Sequence, residues 1–159
     1  MKGYIENLNG LHIKYIIINI IIAVAGFITT LIVGKIGLGQ KTNMYISIIM
    51  MICILLFFIG GRKIYQRELA KMKDFALGKK LNSYHESNKK RLKSFTIMSV
   101  IAIIGLVLSN NMMYLIFCVL SLMMIILNRT NKAKIAYELN LTSKEVEKLG
   151  KPIGENKSM

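Results

Sequence analysis

Four stretches of the chain carry no Asp, Glu, Lys, Arg or His: YIIINIIIAVAGFITTLIVG at 15–34, MYISIIMMICILLFFIGG at 44–61, FTIMSVIAIIGLVL at 95–108 and MMYLIFCVLSLMMIIL at 112–127. An α-helix rises about 1.5 Å per residue and a bilayer core is roughly 30 Å thick, so a spanning helix needs about 20 apolar residues. The first run meets that length and the second nearly does. The last two, at 14 and 16 residues, are short. Either they form a buried hairpin or re-entrant segment, or flanking cations lengthen each by a turn while their charged ends snorkel outwards. Lys89 to Lys93 before the third run and Arg129 after the fourth favour spanning. The expected fold is all-α, a four-transmembrane-helix up-down-up-down bundle with spans at about 15–34, 44–61, 92–109 and 111–128. Lys2 and Lys14 ahead of Ala23-Val24-Ala25 also resemble a cleavable signal, but the apolar run continues eight residues past Ala25, which argues for a retained span.

Between the runs the pattern changes period. Tyr65, Leu69, Met72 and Ala76 fall at i, i+4, i+7 and i+11, the stripe of a helix continuing from the second span. Gly78 is expected to end it, with LNSYHESN (81–88) as a turn. The tail predicts a helix over 131–140, with Ile135 and Leu139 on one face, then a second opened by a Thr142/Glu145 capping box and stopped by Gly150 and Pro152. Ser109-Asn110-Asn111 and KIGLGQKTN (35–43) are short connections, so consecutive spans pair as hairpins. The organisation is therefore a transmembrane domain at 1–127, including a basic loop at 62–91, and a basic tail at 128–159. No repeat relates the two halves, which weakens an inverted-repeat carrier.

Charge adds direction. The 159 residues are 53% hydrophobic with a formal charge of +14 and a mean hydropathy of +0.48. With four spans, 20 of the 22 cations lie on the side shared by the termini and the central loop. Retained cations mark the cytoplasm, so both termini are expected on the cytoplasmic side of a bacterial inner membrane. Arg62, Lys63, Lys89, Lys90, Arg91, Lys93 and Arg129 are the candidates for contact with anionic lipid or a partner, at about 1 kcal/mol per cation near a charged surface. A nucleic-acid interface would interleave cations with aromatic platforms; the loop has only Tyr65, Phe75 and Tyr84, widely spaced. The stretch IAYELNLTSKEVEKL resembles a helix-turn-helix, but Glu145 and Glu147 on the would-be recognition helix repel phosphate. A folded cap on the helix ends is the better reading.

The hairpin SVIAIIGLVLSNNMMYLIFCVLSLMMIIL is followed by Thr130, Lys132, Lys134 and Ile135, then Leu139, Leu141, Thr142 and Glu145. Over roughly residues 80–155 this resembles a group of small, uncharacterised bacterial four-helix integral membrane proteins, some loosely labelled transporter-like. The resemblance implies an integral inner-membrane protein and no particular activity.

Candidate chemistry is sparse. Cys53 and Cys118 lie mid-run and read as soft packing residues. His12 and His85 have no acid or thiol at metal-ligand spacing. No phosphate loop, zincin motif or intramembrane carboxylate pair appears, so neither an enzyme nor a cofactor or metal site is expected. Asn19 is the amide within the runs; it reads as an interhelix hydrogen bond, with a pore or substrate contact beside Thr29 as the alternative. Small residues at helical spacing form candidate packing faces: Ala23, Gly26, Thr30 and Gly34 on the first run, Ala102, Gly105 and Ser109 on the third, Cys118 and Ser121 on the fourth. They let backbones approach in lipid, where dispersion and hydrogen bonds drive association. The expected function is non-enzymatic, through helix packing and cytoplasmic contacts with a membrane-protein partner or a second copy. A small oligomeric transporter or channel is the alternative.

Overall fold

The structure is a computed structural model that describes residues 3–33, 40–109 and 111–149. Among the described residues there are six helices and no strand: α1 (Tyr4–Val33), α2 (Gln40–Met72), α3 (Leu77–Ser109), α4 (Met113–Leu127), α5 (Lys132–Leu139) and α6 (Ser143–Lys148). Each apolar run supplies the body of one of the first four. The first three are far longer than their runs, at 30, 33 and 33 residues, or about 45–50 Å at 1.5 Å per residue. That exceeds a roughly 30 Å hydrocarbon core, so α1, α2 and α3 each carry a polar stem beyond the uncharged part.

Helix α3 organises the rest, packing on α1, α2 and α4. Against α1 it runs parallel, with the Tyr4 hydroxyl donating to the Leu81 carbonyl at 2.7 Å and Asn19 donating to Thr96 at 2.9 Å. Both contacts share a register offset of 77 residues. At Gly26 the same register brings Ile103 so close that a Cβ would fall inside its side chain. Against α2 it runs antiparallel: Ser94 donates to the Phe57 carbonyl, and Ser87 and Lys90 donate to Glu68. Against α4 it is antiparallel again, with Ser121 donating to the Phe95 carbonyl at 2.6 Å and the Cys118 thiol facing the Ser99 carbonyl at 3.8 Å. Small donors allow this because each hydroxyl or thiol reaches a carbonyl only when the backbones are close. The polar stems of α1, α2 and α3 consequently gather at one end.

The apolar outer surface identifies the solvent. Leu31, Ile32, Ile49, Leu56 and Leu127 are more than half exposed, within a belt of large apolar side chains over α1, α2 and α4. Continuous apolar surface of this extent marks a membrane-facing protein. By length and composition α1, α2 and α3 are able to cross a bilayer, and a fourth span exists if α4 and α5 count as one bent segment. The chain thus has the make-up of a multi-pass membrane protein.

Three sequence expectations are corrected. LNSYHESN is not a turn: residues 81–88 lie inside α3, Gly78 is its second residue, and the break falls at 73–76. The reason is a buried stripe written in polar letters, Tyr84, Ser87, Asn88 and Arg91, continuing into Leu92 and Phe95. Ala76 lies beyond α2 and is exposed, so the α2 stripe stops at Met72. Arg129 does not lengthen the fourth helix, because α4 has 15 residues, ends at Leu127 with Asn128 as its cap, and meets α5 at 86°. The Asn128 amide donates to the Met124 carbonyl at 2.8 Å and so occupies a terminal acceptor. Gly34, Asn110, Gly150 and Pro152 lie outside the described residues.

Candidate functional site

The gathered stems meet α5 and α6. Helix α5 is defined at both ends: the Asn131 side chain accepts the Lys134 amide at 2.7 Å, and Asn140 closes it in the left-handed conformation at φ 48°, which Asn tolerates at a helix C-terminus. Glu145 accepts the Thr142 amide at 2.8 Å at the start of α6, half of a capping box. These local signals place Ile135 and Leu139 inward, against Tyr4, Leu8, Tyr65, Met72 and Tyr84. The tail is therefore a cap on the stems.

Glu138 holds that cap. Its Oε2 accepts the Tyr65 hydroxyl of α2 at 2.8 Å and the Tyr84 hydroxyl of α3 at 2.5 Å, so one carboxylate joins three helices. The Arg91 guanidinium stacks 3.9 Å from the Tyr65 ring centre and donates to Asn88 Oδ1 at 2.6 Å. Arg91, Asn88 and Tyr84 are all buried. Beside them His12 is fully buried. Burial, reinforced by the neighbouring Arg91 charge, pulls its pKa down to about 4, and the Ile125 carbonyl opposes this only in part. The ring is thus neutral near pH 7. His12 lies before the uncharged part of α1, at the level of the stems. Among the described residues neither His12 nitrogen forms a well-made hydrogen bond, nor do Asn88 Nδ2, Arg91 Nε and Thr130 Oγ1.

The outer face of the stems carries a groove of about 450 Å³ between α2 and α3. Leu56, Phe57, Ile64 and Ile97 line it, and Lys90 and Lys93 lie at its polar end. Glu68 is inside that end, bonded to Ser87 and to Lys90 at 2.7 Å. Burial raises the Glu68 pKa, but the bonds from Lys90 and Ser87 outweigh it and hold the carboxyl below its usual range. A separate cavity of about 350 Å³ lies between α2, α3, α4 and α5, bordered by Arg62, Tyr65, Arg91, Asn128 and Glu138.

The other residues singled out by sequence fall as follows. Asn19 is buried and fully engaged, donating to the Tyr15 carbonyl and Thr96 and accepting from Ser99 at 2.6 Å. Thr30 is buried and bonded back to the Gly26 carbonyl, whereas Thr29 is exposed and bonded back to Ala25. Ala23 is half-buried; Ala102, Cys118 and Ser121 are buried; Ser109, half-buried, donates to the Gly105 carbonyl. Cys53 is half-buried, and both cysteines are free thiols. Arg62, Lys63, Lys93 and Arg129 are exposed, and Lys89 lies 3.9 Å from Glu86. Arg91, a candidate for lipid or partner contact, is buried and stacks on Tyr65, and it also lines the groove between α2 and α3. Among the described residues no three His, Cys, Asp or Glu side chains gather as a metal would require.

Sequence reasoning passed over Glu68, Glu138, Tyr84 and Asn88. A signal was present: the chain has 8 acids against 22 cations, so an acid retained in a basic segment is a candidate for a specific partner. The Asn19 contact yields a modest prediction. Asn19→Leu is expected to lower α1–α3 stability by about 1 kcal/mol, the usual size of a membrane interhelix hydrogen bond. Denaturant titration in bicelles, with Thr96→Val as a partial mimic, would read it.

No protein-family model, curated protein or solved structure matches this chain.

Proposed function

We propose that this is a non-enzymatic integral protein of the bacterial inner membrane that acts by contact, as an accessory subunit, scaffold or immunity-type membrane protein. In this reading four helices cross in up-down-up-down order, and the stems and cap lie in the cytoplasm with both termini. The observation that carries it is the Glu138 clamp, which turns a basic tail into a folded platform joined to α2 and α3. A tail that only fixed topology would need no such joint. The platform presents Tyr137, 84% exposed on α5, a helix that also carries Lys132 and Lys134; exposed aromatics are favoured anchors at interfaces. A transporter reading has less support, since the Asn19 amide is consumed by α1 and α3 and Thr29 bonds its own helix.

The protein is expected to leave the membrane in mild detergent with a stoichiometric partner or as a defined homo-oligomer. A photo-crosslinker replacing Tyr137 should form one discrete adduct in intact cells. Recovery of a bare monomer with no adduct would remove the proposal.

A further inference from the structure

We infer that the groove between α2 and α3 is a binding site for one anionic phospholipid, an assignment that rests on the membrane placement proposed above. The two helices are antiparallel, and along the groove both change character in the same direction. On α2 the lining residues pass from Leu56 and Phe57 through Gly60 and Ile64 to Glu68; on α3 they pass from Ile97 through Ser94 and Lys93 to Lys90 and Ser87. One end is hydrocarbon and the other is hydroxyl and ammonium. The amphiphile that matches this gradient has an acyl chain at one end and a negative headgroup at the other.

Two adjacent glycines make the groove. A Cβ at Gly61 would come within 2.7 Å of Ser94 Oγ, so Gly61 is where α2 and α3 touch. At Gly60 a Cβ would meet nothing within 4 Å, so Gly60 leaves the wall bare where a side chain would otherwise lie. The volume of about 450 Å³ falls within the roughly 300–1,000 Å³ of small-molecule clefts.

Charge selects the headgroup. Glu68 already accepts from Ser87 and Lys90, which fixes Lys90 over the polar end. Lys93 is exposed at the same end, with no ion-pair partner among the described residues. The end therefore has two ammonium groups and the inward-turned Arg91 guanidinium against one carboxylate, a net positive charge at headgroup depth. A zwitterionic headgroup presents its own cation there and is disfavoured. Each lysine near an anionic surface is worth about a factor of five.

The chain contains no tryptophan, so one introduced indole reports alone. Leu56→Trp places it at the groove edge, where Leu56 is 64% exposed, and Ile21→Trp, at a position 60% exposed on α1, samples ordinary lipid. In phosphatidylcholine vesicles, brominated phosphatidylglycerol at low mole fraction is expected to quench Leu56→Trp about five-fold more effectively than brominated phosphatidylcholine. At Ile21→Trp the two should quench alike. Adding Lys90→Gln and Lys93→Gln should bring the groove to parity. Adding Gly60→Phe, which fills open space and leaves every cation in place, should weaken quenching by both lipids. Equal quenching by the two lipids at Leu56→Trp overturns the site, as does a phosphatidylglycerol preference that survives the lysine substitutions. Absence of quenching by either lipid at both positions overturns the membrane placement instead.

Discussion

Replacing Glu138 by leucine is expected to release the α5–α6 cap, lowering its stability by about 3–5 kcal/mol. Two buried phenols lose their acceptor together: Tyr84, fully buried, and Tyr65, 6% exposed. An unsatisfied buried donor costs about 1–3 kcal/mol. With two such donors stranded, the losses together account for the expected range. Hydrogen exchange in nanodiscs should show α5 amides losing two to three orders of magnitude of protection, at about 1.4 kcal/mol per factor of ten. Glu138→Gln keeps a carbonyl acceptor and should lose markedly less. Adding Tyr65→Phe and Tyr84→Phe to Glu138→Leu should recover part of the loss, because removing both partners avoids the unsatisfied donors. Unchanged α5 protection in Glu138→Leu would mean that apolar packing alone holds the cap.

Gly105→Val should separate α4 from α3, at about 3 kcal/mol or more. A Cβ at Gly105 would lie 2.6 Å from Tyr114 Cε1, with two further ring atoms within 3 Å. The ring has nowhere to swing: Tyr114 is 2% exposed and its hydroxyl donates to the Ser47 carbonyl of α2 at 3.2 Å. Overpacking of this kind typically costs about 1–3 kcal/mol, occasionally more, and here it also strains the α4–α2 bond. The control is another glycine. Gly10, on α1, has nothing within 4 Å of its Cβ position, so Gly10→Ala should stabilise by about 0.5–1 kcal/mol through helix propensity alone. Denaturation midpoints in detergent for the two variants should move in opposite directions. A neutral Gly105→Val would show that α4 does not rest on α3 through Tyr114.

Much of the architecture was legible in one dimension because its cause is local. The uncharged runs had to be helical, since lipid offers no partner to an open backbone. Ile135 and Leu139 on one face predicted the first tail helix, and Thr142–Glu145 the second, because helical spacing and capping are chemistry between residues a few positions apart. The site was less legible. Hydrophobic periodicity missed the α3 stem, whose buried stripe is Tyr84, Ser87, Asn88 and Arg91. A polar residue is inward only if something opposite satisfies it, and Glu138 lies 54 residues from Tyr84 and 73 from Tyr65.

The division follows from the range of the forces. By itself the sequence determined which segments prefer lipid, where the cations lie, and where the tail helices begin, all of it set by transfer energies and contacts within a turn. Only the tertiary structure decided the register in which α1 packs on α3, that Arg91 faces inward while Lys93 faces out, and that the Gly60 side of α2 stays bare. Those outcomes depend on which surfaces meet, and close packing settles that between helices far apart in the chain.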